Sequence, residues 1–407
     1  MRVPDGAGSS PRRIRQQNVT AALQSLHAEG RLSRAELARR LRLNRSSLGQ
    51  IAGALTQSGL VREVETPTPG RTDTQRAGRP GILLELVPDA ACFIGIEIGV
   101  EHVSAVEIDL CARVTRNRSL PLDTTAMPVD EVVAQAVGLA FSPMEPDRIA
   151  RCRGVGVSAP MHIGPDGSVS LAPLIGWRDL DLTEIVRAAL PVGVPVMIEN
   201  DANAFAFGDG YRHGAGGVTL FLLMESGIGG GILIDGKLFR GGHGLAGEIG
   251  HLLMRDSDHA SLEQLIGREA LVSGYRTATG RYDAGLAELL SDVADREPRA
   301  VTIAEDWSRH LARALVQACR VLDPERIVLG GSVAMLYPLV PARVAAHMAA
   351  IRSIDFPLPR IATDDNAGYG SAFGVACLLH QRFLSTGGPA PEGDAPAGSA
   401  ATKGQPE

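Results

Sequence analysis

The chain has 407 residues, of which 44% are hydrophobic and 21% are charged, and its formal net charge is −6 at pH 7. A chain of this length is too long to fold around one ordinary hydrophobic core, which predicts two or three domains. No run of about 18 uninterrupted apolar residues is present, and the Arg-rich N-terminus lacks the apolar block of a signal peptide. We therefore expect a cytoplasmic protein that does not cross a membrane.

Charge is distributed unevenly along the chain. Residues 1–80 contain 14 Arg and 6 acidic residues, a net charge of +8, whereas the remainder carries −14. A basic segment attracts phosphate groups, so we expect the N-terminal part to be the one that contacts nucleic acid.

Residues 12–86 have the pattern of a winged helix-turn-helix. Apolar residues recur at helical spacing from Ile14 to Leu26, and Ser33-Arg34-Ala35-Glu36 is a capping box that begins a second helix. Asn44 caps a third helix, and Gly59 is placed to terminate it. The inward face of this third helix is predicted to contain Leu48, Ile51 and Leu55.

Two strands are predicted at Val61–Glu65 and Ile82–Leu86, and the Pro/Gly/Arg-rich residues 66–81 would form a wing between them. In that segment Gly78-Arg79-Pro80 favours an extended backbone, from which Arg79 can enter a narrow minor groove. A plain flexible linker is the alternative interpretation.

The recognition helix of a helix-turn-helix inserts its N-terminal turns into the major groove, where Arg and Gln suit bidentate contacts to bases. The residues that we assign to DNA are Ser33, Arg34, Arg45, Ser46, Ser47, Gln50 and Arg79. The alternative is a helical hairpin that contacts another protein.

From residue 93 onward, short apolar runs alternate with helical stretches, which predicts an α/β fold. The predicted strands are 93–98, 154–157, 196–198, 218–223 and 327–329, and the predicted helices include 129–140 and 304–322. We expect this body to span residues 87–383. Residues 1–11 and the Gly/Pro/Ala/Ser-rich residues 384–407 are predicted to be disordered.

Three segments of the body contain candidate ligand-binding residues. Asn200 and Asp201 follow a predicted strand, where a carboxylate can accept a hydrogen bond from a ligand hydroxyl, although a helix cap is the alternative. The glycines of residues 227–231 allow close approach of a phosphate or a sugar, or form a tight hairpin. Glu248, His251 and Glu263 suit several sugar hydroxyls, with isolated surface residues as the alternative.

The five cysteines occur singly, which favours reduced thiols over a disulfide framework. His251 is a conceivable zinc ligand. No cysteine lies between Cys152 and Cys319 to complete such a site, so we expect no bound metal.

Together these motifs resemble the ROK family of repressors and sugar kinases, over about residues 12–379. The matching segments are 32–39, 44–47 and 78–80 for the repressor-type N-terminus, and 200–204, 227–231, 247–251 and 322–331 for the body. The resemblance implies a winged helix-turn-helix followed by a two-lobed actin-like ATPase fold with sugar in its cleft.

The resemblance also implies roles for individual residues. Sugar hydroxyls would be bound by Asn200, Asp201, Glu248, His251 and Glu263, and Asp201 would be the general base of a working kinase. The second phosphate loop would contain Gly227, Gly229, Gly230 and Gly231.

Two departures from the family pattern favour a regulator over a kinase. The first phosphate loop of the family reads Asp-x-Gly-Gly-Thr, whereas this chain has Glu97-Ile98-Gly99-Val100-Glu101, which should weaken ATP binding and catalysis. The cysteine cluster expected after His251 is also absent.

We therefore predict a sugar-responsive transcriptional regulator that binds a double-stranded DNA operator as a homodimer or homotetramer and requires no cofactor. The alternative is an active sugar kinase with a DNA-binding appendage, which would use ATP and Mg²⁺. A protein-interaction scaffold with a degenerate pocket would require all five sugar-site residues to be accidental.

Overall fold

The computed structural model describes residues 11–65, 82–164, 167–214, 216–254, 260–352, 357–364 and 369–387. The chain divides into two compact units. The first comprises Met1–Ala90 with His380–Glu407, and the second comprises Ala91–Leu379.

Among its described residues, the first unit has three helices, a small antiparallel sheet and the end of the last helix of the chain. Its elements are α1 (Pro11–Glu29), β1 (Arg31–Ser33), α2 (Arg34–Leu41), α3 (Arg45–Gln57), β2 (Val61–Glu65) and β3 (Ile82–Leu86), with strand order β1-β3-β2. Strand β1 was not predicted, and the two wing strands have the predicted bounds. Residues 66–81, including Arg79, lie outside the described residues.

One buried carboxylate joins the three strands of this sheet. Glu85 of β3 lies opposite Arg31 of β1 and Arg62 of β2, and its two oxygens accept from them at 2.6 and 2.7 Å. Burial alone would raise the pKa of Glu85, but the hydrogen bonds from Arg62 and Arg31 outweigh it and lower this pKa below its usual value. Strands β2 and β3 are therefore tied to β1, which lies between α1 and α2.

The predicted start of the disordered tail at residue 384 is wrong. The last helix continues through Thr386, and its apolar side chains Phe383 and Leu384 are only 7% and 2% exposed. The Thr20 hydroxyl of α1 donates to the Ser385 carbonyl at 3.2 Å, so packing on α1 extends the helix beyond what composition suggested. At the other end, α1 begins at Pro11, one residue inside the segment predicted to be disordered.

The second unit contains two five-stranded sheets with the same topology. In the first, the antiparallel strands β4 (Cys92–Ile98), β5 (His102–Asp109) and β6 (Val114–Pro121) continue into the parallel strands β7 (Cys152–Ala159) and β11 (Val196–Asn200). In the second, β12 (Val218–Met224), β13 (Ile228–Ile234) and β14 (Lys237–Leu238) continue into β15 (Arg326–Gly330) and β16 (Arg360–Thr363). This repetition makes two lobes.

Helices and a third, small sheet complete the second unit. The helices are α4 (Val129–Phe141), α5 (Pro146–Ile149), α6 (Leu182–Ala189), α7 (Asp201–His213), α8 (Leu262–Ile266), α9 (Arg268–Thr279), α10 (Leu286–Ala294), α11 (Pro298–Leu322), α12 (Pro341–Ile351) and α13 (Gly370–Thr386). The small antiparallel sheet consists of β8 (His162–Ile163), β9 (Val169–Ala172) and β10 (Trp177–Leu180). Short 3₁₀ turns occur at Pro88–Ala90, Thr124–Ala126, Pro173–Ile175, Ile249–His251 and Val333–Leu339.

Each lobe has its own apolar core. One core lies between the first sheet and helices α4 and α6, and the other lies between the second sheet and helices α8 to α12. In the described part of the chain no single helix is long and apolar enough to cross a membrane. Two helical segments, Val333–Leu339 and Pro341–Ile351, have the length and composition of a membrane span only when they are taken together, and they meet at a sharp bend of 87°.

The packing of α13 on α7 generates a stability prediction. A Cβ atom added at Gly374 would lie 1.7 Å from the backbone oxygen of Ala204, whereas one added at the exposed helix position Gly138 would meet nothing within 4 Å. We expect Gly374→Ala to destabilise the protein by about 1–3 kcal/mol or more, and Gly138→Ala to stabilise it by about 0.5–1 kcal/mol. Urea unfolding measures both, and equal effects of the two variants would contradict this packing.

Candidate ligand site and nucleic-acid interface

Local capping fixes the two helices of the helix-turn-helix. The Ser33 hydroxyl accepts from the Glu36 amide at 3.2 Å, and the Ser33 amide donates to Glu36 Oε2 at 2.8 Å, which completes the predicted capping box. Asn44 Oδ1 accepts from the Ser47 amide at 2.8 Å and begins α3. Leu48, Ile51 and Leu55 are buried, as predicted.

The structure separates the predicted DNA residues into two groups. Arg45, Ser46 and Gln50 are exposed on the first turns of α3, and Ser47 is half-buried beside them. Ser33 caps α2, and Arg34 is paired with Glu63 at 2.5 Å, so the side chains of both have a role within the unit. The exposed first turn of α3 is therefore the strongest part of the candidate interface.

All five residues predicted to bind sugar line one cavity of about 210 Å³ in the second unit. These residues are Asn200, Asp201, Glu248, His251 and Glu263, which come from α7 and its cap, from the 3₁₀ turn Ile249–His251 and its cap, and from α8. Residues more than sixty positions apart in sequence are thus brought to a single surface.

Asn200 and Asp201 lie where strand β11 meets helix α7. The alternative interpretation was an Asp helix cap, but the residue that caps α7 is Asn200: its Oδ1 accepts from the Asn203 amide at 3.0 Å, and its Nδ2 donates to the Met161 carbonyl at 3.2 Å. Asp201 is the first residue of the helix, and its Oδ1 accepts from the Ala202 amide at 2.8 Å.

The Asp201 carboxyl has an unusual electrostatic environment. Burial raises its pKa to about 7, and the negative charges of Glu97 and Glu248 add to this effect. The group can therefore exchange a proton near neutral pH, as a general base or a hydrogen-bonding carboxylate requires.

Glu248 lies between two imidazoles. Its Oε2 is 3.7 Å from Nε2 of His251, and its Oε1 is 3.6 Å from Nδ1 of His162. His251 is 62% exposed, which leaves its ring accessible to a ligand. The sequence interpretation missed His162, because its segment carries no motif and β8 reaches the cavity only through the fold.

Glu263 connects the ligand side to the glycine segment. Its Oε2 accepts from the backbone amide of Ile228 at 2.8 Å, and a Cβ on Gly227 would lie 2.9 Å from the same oxygen. The carboxylate thereby positions the beginning of β13.

The four glycines of the predicted phosphate loop differ in their surroundings. Gly227 and Gly229 line the cavity, whereas Gly230 and Gly231 are buried in β13 opposite Leu222 and Phe221. Cβ atoms on Gly230 and Gly231 would lie 2.2 Å from the Gly247 oxygen and 2.5 Å from the Ala206 Cβ, respectively. Close packing therefore explains these two glycines without a phosphate.

Carboxylates occupy the side of the cavity where the family motifs place phosphates. Glu97 ends β4, is 7% exposed and accepts from the Ser104 hydroxyl at 3.2 Å, and burial raises its pKa. Glu101 forms an ion pair with Arg268 at the start of α9.

A third carboxylate on this side, Glu225, was missed as a functional residue. Its Oε1 accepts from the Ser332 amide at 2.6 Å and its Oε2 from the Ser332 hydroxyl at 2.5 Å. The available signal was an acidic residue directly before the glycine segment. Nothing in the sequence indicated that its partner lies 107 positions away.

Within the described ranges, no group of three or more His, Cys, Asp and Glu side chains is arranged to hold a metal ion. Residues 255–259, which follow the His251 segment, lie outside those ranges. The absence of structural zinc stays a prediction.

Comparison with known proteins identifies the family. The ROK family model matches residues 93–382. The chain belongs to the ROK family. Relatives include a putative xylose repressor from Caldicellulosiruptor sp. strain Rt8B.4, 25% identical over 79% of this chain and 85% of that protein. Another is a glucokinase from Streptomyces coelicolor, 31% identical over 58% of this chain and 81% of that protein.

Solved structures support the fold over both units. A ROK family transcriptional regulator, a homolog of the E. coli MLC protein, has a TM-score of 0.73 at 20% identity and covers 92% of this chain and 97% of its own. A ROK glucokinase from Streptomyces griseus, in complex with glucose and AMPPNP, has a TM-score of 0.62 at 26% identity and covers 72% and 100%. The predicted winged helix-turn-helix and two-lobed actin-like body are confirmed.

The surroundings of Asp201 generate a prediction about pH. The pKa of about 7 in the folded protein exceeds the ordinary value of 3.8, so the folded state binds the proton more tightly than the unfolded state. The contribution of Asp201 to stability is therefore greatest below about pH 4, falls as pH rises to about 7, and is constant above that.

Asp201→Asn removes this dependence. We expect the variant to gain stability relative to the parent chain as pH rises through this window, by at most about 4 kcal/mol for the full pKa difference. Urea unfolding at several pH values measures the gain, and the exposed Asp283→Asn is the control. A stability difference that is independent of pH would show that the pKa of Asp201 is ordinary.

The exposed turn of α3 generates a prediction about DNA. Arg45→Ala should reduce discrimination between operator and random duplex by about 1–3 kcal/mol if Arg45 makes a bidentate base contact. Gln57→Ala, at the far end of the same helix, should change discrimination little. Fluorescence anisotropy at fixed salt measures both, and operator binding that survives deletion of residues 1–86 would contradict the interface.

Proposed function

We propose that this protein is a sugar-responsive, DNA-binding transcriptional regulator, most simply a repressor of carbohydrate metabolism genes. The N-terminal unit binds the operator, and the cavity of the second unit binds a sugar without ATP. The observation that carries the proposal is the contrast within this cavity. Its hydroxyl side has all five expected side chains, whereas its phosphate side presents Glu101 and Glu225 in addition to Glu97, which stands where the family loop has Asp.

Electrostatics explains why this contrast favours a regulator. Phosphoryl transfer depends on neutralising the charge of the transferred group, usually with backbone amides, Mg²⁺ and cationic side chains. A carboxylate about 4 Å from a phosphate charge is unfavourable by about 4 kcal/mol at an effective dielectric constant near 20. Arg268 is the arginine that lines this cavity among the described residues, and it is already paired with Glu101.

The share of this chain that aligns with each solved structure supports a role in DNA binding. The solved regulator aligns with 92% of this chain, and the solved glucokinase aligns with 72%. Several relatives are named xylose repressors, which makes xylose the first effector to test. A protein of this function acts where the DNA is, so we expect it in the cytoplasm.

Assembly follows from the small size of the DNA-binding unit. A single winged module buries little DNA surface, and two modules related by symmetry match an inverted repeat. We expect a homodimer or homotetramer on such an operator. Light scattering combined with footprinting tests this, and a monomer that protects one half-site would contradict it.

One observation favours the alternative, an active sugar kinase. Asp201 has the pKa of about 7 that suits a general base, and it lies on the hydroxyl side of the cavity. Such an enzyme would need ATP and Mg²⁺, neither of which the regulator requires. A coupled kinase assay with robust turnover that Asp201→Asn abolishes would establish the alternative.

The regulator is tested by coupling between its two ligands. Xylose should change the affinity of the full chain for operator DNA in the absence of ATP, and DNA should change the affinity for xylose by the same factor. Asp201→Asn should weaken the sugar response by about 1.5–3 kcal/mol, because it removes a charged hydrogen-bond acceptor.

Sugar-free operator binding is the internal control for this variant, and it should be nearly unchanged. Asp283→Asn should leave both affinities unchanged. Anisotropy titrations of operator DNA with and without sugar measure the coupling. An operator affinity that no sugar changes, whether pentose, hexose or disaccharide, would contradict the regulator.

A further inference from the structure

A second cavity lies beside the one just described, and no role has been assigned to it. It has a volume of about 350 Å³, compared with about 210 Å³ for the first. Met161, His162, Asn200 and Glu248 line both cavities. Ligand sites usually enclose about 300–1,000 Å³, so the first cavity by itself is small and the second extends it into the usual range.

The second cavity is lined by a buried polar network. Glu199 and Asn203 are only 5% and 6% exposed, and the Asn203 amide nitrogen donates to Glu199 Oε1 at 3.4 Å. Asn203 Oδ1 is buried and has no hydrogen-bond partner among the described residues. Buried acceptors are normally satisfied, so this oxygen is suited to a donor that a ligand supplies.

Charge within the second cavity is balanced. The Glu199 carboxylate forms an ion pair with Arg240, whose side chain is about half exposed. The remaining polar groups include the imidazoles of His162 and His243. Paired charges with additional donors and acceptors suit the hydroxyl groups of an uncharged ligand, whereas an anion would have to displace Glu199 from Arg240.

A glycine-rich loop forms one wall of the cavity. Gly241 and Gly244 have φ angles of +71° and +79°, a conformation that favours glycine. Gly242 does not have a positive φ, and a Cβ placed there would meet nothing within 4 Å. A side chain can therefore be introduced at this position in the cavity wall without backbone strain.

We propose that the second cavity binds a second sugar ring, so that the effector is an unphosphorylated disaccharide or glycoside rather than a free monosaccharide. This inference rests on the proposed sugar-responsive function. One ring contacts Asp201, Glu248 and His251, and the next ring contacts Asn203, Arg240 and the glycine loop. The shared residues Asn200 and His162 lie at the junction.

The test compares matched sugars by calorimetry on the full chain. The probes are xylose and glucose against xylobiose, cellobiose and maltose, with glucose 6-phosphate as the charged comparison. We expect at least one disaccharide to bind about tenfold more tightly than its constituent monosaccharide, and the phosphorylated sugar to bind more weakly than glucose. A monosaccharide that binds as tightly as every disaccharide overturns the proposal.

Two variants locate the second ring. Gly242→Leu adds a bulky side chain to the loop that forms one wall of the second cavity, and Arg240→Gln removes the charge that is paired with Glu199. Each should weaken disaccharide binding about tenfold and change monosaccharide binding less than twofold. Gly193→Leu, at an exposed loop glycine where a Cβ also meets nothing within 4 Å, is the control.

The outcomes separate this inference from the function on which it rests. Monosaccharide binding without a preference for disaccharides, or disaccharide binding that Gly242→Leu does not affect, overturns only the second site. Failure of every sugar to bind overturns the sugar-responsive function and the second site together. Should Arg240→Gln not fold, Gly242→Leu still decides the outcome, because it leaves the ion pair intact.

Discussion

The close approach of helix α7 to its neighbours is the constraint on which the rest of the site depends. Gly229 and Gly231 of β13 leave no room for a side chain against Ala202 and Ala206, and Gly374 of α13 lies against the backbone of Ala204. Elements that are packed this closely have little room to move relative to one another. The start of α7 is therefore held rigidly, and with it Asn200 and Asp201 are fixed in the wall of the cavity.

Rigid backbone packing also explains why the glycine segment does not by itself indicate phosphate binding. The segment between β12 and β13 matches a family phosphate loop, yet Gly230 and Gly231 are required by contacts with Gly247 and Ala206. Only the part that contains Gly227 and Gly229 lines the cavity, next to Glu225. Glycines that the fold requires can remain where the side chains around them no longer suit a nucleotide.

Short sequence patterns predicted the helices and strands well because the interactions that form these elements join residues close together in the sequence. The capping box at Ser33, the cap at Asn44 and the two wing strands depend on residues within a few positions of one another. Helix α11 begins at Pro298, earlier than predicted, since Glu297 caps it by accepting from the Ala300 amide. The five residues predicted to bind sugar line one cavity, and the family motifs that contain them were the reason for grouping them; their role in sugar binding stays a prediction.

Long-range interactions were not predictable in the same way. Glu85 satisfies arginines from two different strands, and Glu225 binds Ser332 across 107 positions, so neither pairing has a signature in local spacing. The helical end of α13 was mistaken for tail because its burial depends on contacts with α1. The second cavity was not predicted either, because it too depends on contacts between residues that are distant in the sequence. Glu199 and Arg240 are unremarkable until the fold brings them together.

The two sides of the ligand cavity can change independently because different elements build them. The groups predicted to bind hydroxyls come from α7, the 3₁₀ turn at Ile249–His251 and α8, whereas Glu97, Glu101 and Glu225 come from near the end of β4, the β4–β5 turn and the residue after β12. Ionised carboxylates only accept hydrogen bonds, so they match the donor hydroxyls of a neutral sugar and oppose the acceptor oxygens of a phosphate. The carboxylates on one side thus disfavour a phosphate there, while the acceptors of the other side stay in place. The two sides are nevertheless linked through charge, because Glu97, which stands where the family loop has Asp, adds to the effect of burial in raising the pKa of Asp201. A change of charge at Glu97 would therefore change the pKa of Asp201, even though different elements carry the two residues.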